Sequence, residues 1–197
     1  MRQICFFALF VWIISGLTAF TSASHLDTIH SFHHHLNTQP LGISIVLYRV
    51  GKADKIEELS NLERQMDKSR SVNLYKITQD LGIIFMNTAD PYSDTTALPY
   101  KMLFGTYVEK QVGDRVINGF VPASEVATIC DWIKKHHIDT FEGFTATYDS
   151  LSEEARQELE DIGADGKRPL FHGYVQPLTQ FYFGALKEKN SIVICGE

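Results

Sequence analysis

Residues 168–186, RPLFHGYVQPLTQFYFGAL, hold two short aromatic-rich runs, 170–175 and 181–186, separated by a segment containing Pro177. Alternating aromatic and apolar side chains interrupted by a turn residue predict a β-hairpin. Directly upstream, residues 150–162 carry the strongest helix signal of the chain. Ser150 and Glu153 read as a capping box, Leu151, Ala155, Leu159 and Ile162 as a stripe, and Gly163 as the stop. A helix feeding an aromatic hairpin restricts the chain to mixed architectures and implies a half-domain with a concave, ring-lined sheet.

The preceding residues extend that pattern. Residues 41–50 (LGISIVLYRV) read as a strand ended by Gly51, and residues 52–68 as a helix with Ile56, Leu59, Leu62 and Met66 on one face. Residues 81–86 and 100–109 read as two strands expected to pair with each other. Residues 116–121 and 126–129 read as one bent strand or two short ones, 141–148 as a strand, and 191–195 as a closing strand. The order strand–helix–strand–strand thus occurs twice. It predicts an α+β fold of duplicated strand–helix–strand–strand half-domains, forming an antiparallel sheet with helices on one face and a central cleft. If the second sheet face is uncovered, a ring-lined groove is left there, a common small-molecule site.

The first residues are of another kind. Arg2 precedes an uncharged, apolar run at 4–20, and Thr21-Ser22-Ala23 supplies small residues of the type a signal peptidase reads. Residues 1–23 are therefore expected to be a cleaved signal peptide, leaving a secreted or periplasmic protein. The alternative is an uncleaved anchor at the short edge of membrane-spanning length, the one way a membrane partner enters. Cleavage removes one charged side chain and leaves 17 basic against 24 acidic residues, a balance of −7. Such acidity argues against non-specific nucleic-acid binding, which needs a basic face.

Residues 24–40 carry His25, His30, His33, His34 and His35. His30 and His34 have the i, i+4 spacing of two ligands on one helical face. With no cysteine or carboxylate at a recognised spacing, we read the segment as an exposed lead-in and assign no metal site. Residues 41–197 then form the domain. Cys130 and Cys195 remain after cleavage, as one disulfide or as two buried thiols. No Gly-rich phosphate loop, serine nucleophile elbow or zinc-binding spacing is present, so no cofactor and no catalytic residue is assigned.

Several weak matches occur in a fixed order: residues 41–50 with the following helix, Gly82-Ile-Ile-Phe85 with Asp90-Pro91, Val121-Pro-Ala-Ser124 with Val126-Ala127, and a helix followed by Pro169-Leu-Phe-His-Gly-Tyr174. In these the chain resembles the GyrI-like small-molecule-binding domain, the effector-binding domain of multidrug-responsive regulators, here in a stand-alone exported form. The resemblance implies two pseudo-symmetric halves around a cleft for an organic ligand. It also implies a carboxylate at the position of His172, where this chain has an imidazole instead, so a preference for cationic drugs does not carry over.

The expected function is therefore a non-enzymatic binding domain for a hydrophobic or aromatic small molecule. The ligand-binding candidates are Tyr48, Tyr107, His172, Tyr174 and Phe183, with Glu125 as a replacement carboxylate. The alternatives are a small-molecule hydrolase using a cleft carboxylate, Glu125 or Glu142, with Tyr107, Tyr148 or Tyr174, and a protein-interaction module whose cleft is filled.

Overall fold

The computed structural model describes residues 44–75, 77–159 and 163–196. The signal sequence, the histidine-rich segment and the first residues of the expected 41–50 strand lie outside them. The centre of the fold is a five-stranded antiparallel sheet of β1 (Ile45–Val50), β2 (Ser71–Tyr75), β3 (Thr106–Val112), β4 (Arg115–Val121) and β5 (Ser191–Gly196). Its spatial order is β2-β1-β5-β4-β3, so the strand latest in sequence is the middle of the sheet. β5 pairs along its length with β1, from Ile45↔Gly196 to Val50↔Ser191, and on its other side with β4. The fold is α+β with an antiparallel sheet, as expected.

Both faces of that sheet are covered. On one lie α2 (Thr78–Met86), α3 (Leu98–Phe104), α4 (Ala123–Lys135), α5 (Phe141–Asp149), α6 (Glu153–Glu158), α7 (Gly163–Leu170) and α8 (Gln176–Glu188). Their apolar faces pack on Leu47, Leu74, Val121, Ile192 and Ile194. On the other face, α1 (Leu62–Lys68) and a 3-10 turn at Ile56–Glu58 bury Val46, Tyr48, Val50, Ile117, Val193 and Cys195. The alternation along β1 thus serves two cores at once, and every residue of the strand is buried. Helices are not confined to one face, and the second face is no open, ring-lined surface.

The 168–186 hairpin is the largest correction. These residues are helical: α7 runs into a π-helical turn at Phe171–Val175, which continues into α8. The buried residues Phe171, Val175, Leu178, Tyr182 and Ala185 recur at helical spacing and face the core. Pro177 lies in the first turn of α8, where a missing N–H is tolerated, and the π turn realigns the backbone so that Gln176 N–H reaches the Phe171 carbonyl. Tyr182, fully buried, donates its hydroxyl to the Met102 carbonyl at 2.8 Å. That carbonyl belongs to the last turn of α3, whose acceptors have no partner within the helix.

Other strand assignments fail in the same way. Residues 81–86 lie in α2, 126–129 in α4 and 141–148 in α5, while residues 100–109 divide between α3 and β3. The capping residue of α6 is Ser152, accepting from Ala155 N–H at 3.2 Å, and Ser150 ends α5. β2 fell within no expected element. Among the described residues two helices, α2 and α3, stand between β2 and the β3–β4 pair, and the expected duplicated strand–helix–strand–strand order is not found. Cys130 and Cys195 are buried thiols with no disulfide between them, in cores on opposite faces of the sheet, so the sheet itself separates them.

Candidate functional site

The six residues expected to line a cleft are dispersed. Tyr48 is buried between the sheet and α1, with the Arg115 guanidinium 5.7 Å from its ring centre. Tyr174 and Phe183 pack against the helical core on the opposite face, and Phe183 has Lys134 Nζ at 5.6 Å over its ring. Tyr107 is half exposed on β3 and donates to Glu109 at 3.2 Å. Glu125, in the first turn of α4, forms an ion pair with Lys101. His172 is exposed in the π turn, stacked parallel to Phe141 with its Nδ1 2.9 Å from Gln176 Oε1. Glu142 is exposed on α5.

A different place gathers unmet chemistry. At the end of β1 the chain reads Tyr48-Arg49-Val50-Gly51, and strand parity turns Arg49 toward the helical face. There it lies under α8, with 8% of its surface exposed. Its guanidinium carbon sits 4.9 Å from the Phe181 ring centre, Nη2 donates to the Gln180 carbonyl at 3.4 Å, and Nη1 is 3.6 Å from Glu188 Oε1. Gly184 makes the room: a Cβ there would lie 2.2 Å from Nη2. Yet Nε and Nη1 have no hydrogen-bond acceptor among the described residues. Burial lowers the guanidinium's pKa, with Arg70 adding to that effect and Glu188 opposing it.

Arg49 lines a cavity of about 480 Å³. Arg64 and Lys68 reach it from α1, where i, i+4 spacing sets both on one face, and Arg70 reaches it from the segment entering β2. Among the described residues these three cations have no ion pair. Against the four positive charges stands one carboxylate, that of Glu188. The walls are held by local hydrogen bonds. Gln65 accepts from Gly51 N–H at 2.6 Å and donates to the Ser60 carbonyl at 2.7 Å. The Ser191 hydroxyl accepts from Ala53 N–H at 2.9 Å and donates to the Ala53 carbonyl at 2.8 Å, tying the loop after β1 to β5.

Asn190 completes the wall. Lys189 ends α8 in the left-handed region, and Asn190 N–H returns to the Ala185 carbonyl at 2.8 Å, which turns the chain back onto the sheet. Its Oδ1 is buried and has no donor among the described residues. Four buried side-chain polar atoms lack a partner among the described residues, and three of them belong to Arg49 and Asn190. Two non-glycine residues at positive φ adjoin the cavity as well, Asn61 in its wall and Lys189 between Glu188 and Asn190. Unmet polar groups and backbone strain concentrate where a fold is shaped for something other than its own stability.

A second cavity, about 320 Å³, opens between α2, the loop before α3 and the end of α4. Phe85 and Trp132, edge to face at 6.2 Å, form its apolar part, and Asp94 and His136 its polar rim. Among the described residues no group of three or more His, Cys, Asp or Glu is placed to hold a metal ion. No described helix is long and apolar enough to cross a membrane.

The basic pocket had a sequence signal that residue-type reading passed over. Arg49 is the charged residue inside an otherwise apolar strand, a position where arginine is rarely buried without a partner. Comparison with known proteins gave no matching family profile and no matching curated protein. Among solved structures, the Escherichia coli protein YfbM, described as of unknown function, is similar over 79% of this chain and 100% of its own, with a TM-score of 0.49 and 14% identity.

Proposed function

We propose that this chain is a small-molecule-binding domain whose ligand is an anion held in the Arg49 pocket. The observation that carries this reading is the buried guanidinium with two nitrogens that lack a hydrogen-bond acceptor, beside three further cations that have no ion pair among the described residues. An arginine serving only to fasten α8 to the sheet would be expected to use its donors on that helix, because leaving a buried donor unmade costs about 1–3 kcal/mol. An incoming anion supplies the missing acceptors and relieves the repulsion among the four cations. The resemblance to GyrI-like domains supports the small-molecule half of this reading, and the composition of the pocket supports the anionic half.

Isothermal titration with inorganic phosphate at low ionic strength tests it. Saturable binding by the wild-type domain, abolished in Arg49→Met, is the expected result. Absence of saturable binding, or equal binding by the variant, removes the reading.

A second reading, the hydrophobic or aromatic ligand expected from sequence, is favoured by the Phe85–Trp132 cavity. Trp132 fluorescence reports it directly: titration with an aromatic compound quenches or shifts the emission if that cavity is the site. We also propose that the domain acts outside the cytoplasm after removal of residues 1–23, which amino-terminal sequencing of the exported protein checks.

A further inference from the structure

The Arg49 pocket offers more than positive charge, and its remaining features narrow the ligand. We propose that it binds a phosphorylated polyol, a compound of the sugar-phosphate class; this inference rests on the anion-binding reading above.

Three observations lead there. The first is the charge balance. Four cations face one carboxylate, an excess better met by a phosphomonoester, which carries about −1.5 to −2 at neutral pH, than by a single carboxylate. The second is the unmet acceptor. In the β1–β5 register Val50 lies opposite Ser191, so Asn190, the residue just before β5, comes in beside the end of β1, and it lines the same cavity as Arg49. Unfilled donors on Arg49 and an unfilled acceptor on Asn190 therefore stand within the span of one small molecule. A phosphate on the guanidinium, with a hydroxyl a few bonds away donating to Asn190 Oδ1, satisfies both. Inorganic phosphate fills the first position and leaves the second.

The third observation concerns what the wall lacks. The cavity, about 480 Å³, leaves space for an organic part, yet among the described residues no aromatic side chain lines it. It offers amides, a serine and the Glu188 carboxylate, groups that pair with hydroxyls. It offers no ring on which a nucleobase could stack.

The test compares inorganic phosphate, glucose 6-phosphate, adenosine 5′-monophosphate and glucose by isothermal titration against the full chain, in wild type and in Asn190→Ala. We expect glucose 6-phosphate to bind at least about 10-fold more tightly than inorganic phosphate, the equivalent of about 1.4 kcal/mol. Adenosine 5′-monophosphate should gain nothing beyond its ribose hydroxyls, and glucose alone should not bind. In Asn190→Ala the preference for the sugar phosphate over inorganic phosphate should shrink. Equal affinity for inorganic phosphate and glucose 6-phosphate in the wild type overturns the proposal, and that result needs no variant to fold. Tighter binding of adenosine 5′-monophosphate than of glucose 6-phosphate overturns it too. If no phosphate compound binds at all, the anion-binding reading itself has failed.

Discussion

Replacing Arg49 with methionine should make the unliganded domain more stable. The side chain carries two buried nitrogens without acceptors, Nε and Nη1, and each unmade bond costs about 1–3 kcal/mol. The compensations are small. The Nη2 bond to the Gln180 carbonyl is long at 3.4 Å, and such a bond contributes at most about 0.5–1 kcal/mol. The 3.6 Å contact with Glu188, whose side chain is 54% exposed, lies beyond hydrogen-bond reach and is a surface-like ion pair of about 0–1 kcal/mol. The guanidinium over Phe181 adds about 1–2 kcal/mol, of which a methionine thioether on the same ring recovers about 0.3–1.5 kcal/mol. With each contribution at its midpoint the difference favours methionine by about 2 kcal/mol, as replacement of buried charges by apolar groups of similar size often does.

Urea denaturation of both proteins in anion-poor buffer measures it. The expected result is a higher midpoint for Arg49→Met with an unchanged slope. Added phosphate should then raise the wild-type midpoint and leave the variant's where it is, because only a ligand that binds the folded state shifts that equilibrium. A loss of more than about 3 kcal/mol in the variant would refute the reasoning, since that is the behaviour of a buried charge whose pairing holds the fold together.

Other substitutions probe the frame around the pocket. At Gly119 a Cβ would lie 1.9 Å from the Phe104 carbonyl oxygen, a backbone atom that cannot swing aside, so Gly119→Ala should cost more than about 4 kcal/mol in thermal or urea unfolding. Tyr182→Phe strands the Met102 carbonyl in the core and should cost about 1–3 kcal/mol by the same assays. At Gly184 the three atoms nearest an added Cβ all belong to the Arg49 guanidinium, so Gly184→Ala should displace that group and weaken phosphate binding in calorimetry. Burial pushes the Cys130 thiol up to about 11. The folded state therefore keeps a proton that the unfolded chain releases near pH 9, so this contribution to stability is present below pH 9 and declines between pH 9 and 11. Midpoints measured across that range should fall less steeply in Cys130→Ala, and at pH 8 iodoacetamide should label Cys130 and Cys195 only after denaturation.

The strands rich in β-branched residues were legible. β1, β4 and β5 read as strands because runs such as Ile45–Val50 and Ser191–Gly196 are apolar on both sides, as a sheet buried on both faces requires. The aromatic segments misled for a related reason. In α2, the π turn and α8, the helix meets core over a wide arc, and Leu81 to Phe85 are all buried, so apolar residues follow one another without a clear period of 3.6. β2, with one fully buried residue at Leu74, was too polar to notice. Of the pocket only Arg49, the charge inside an apolar strand, left a signal, and the rest was out of reach for another reason. Arg49 and Arg70 meet through the β1–β2 pairing, and Asn190 joins them only because β5 pairs with β1, a contact between residues more than 130 positions apart. A side chain without an acceptor leaves no mark in sequence.

That same pairing governs the order in which the fold can assemble. With β5 in the middle, β2–β1 and β4–β3 are two separate ribbons that share no strand until the chain beyond α8 is available. A two-stranded ribbon is marginal in water on its own, and closing the sheet joins segments from opposite ends of the described chain, which makes for slow folding. Growth from the first residue onward therefore cannot lay down the core layer by layer. Removal of Ser191–Gly196 would leave the two ribbons unjoined, and the Arg49 pocket, walled by both β1 and the turn before β5, would never form.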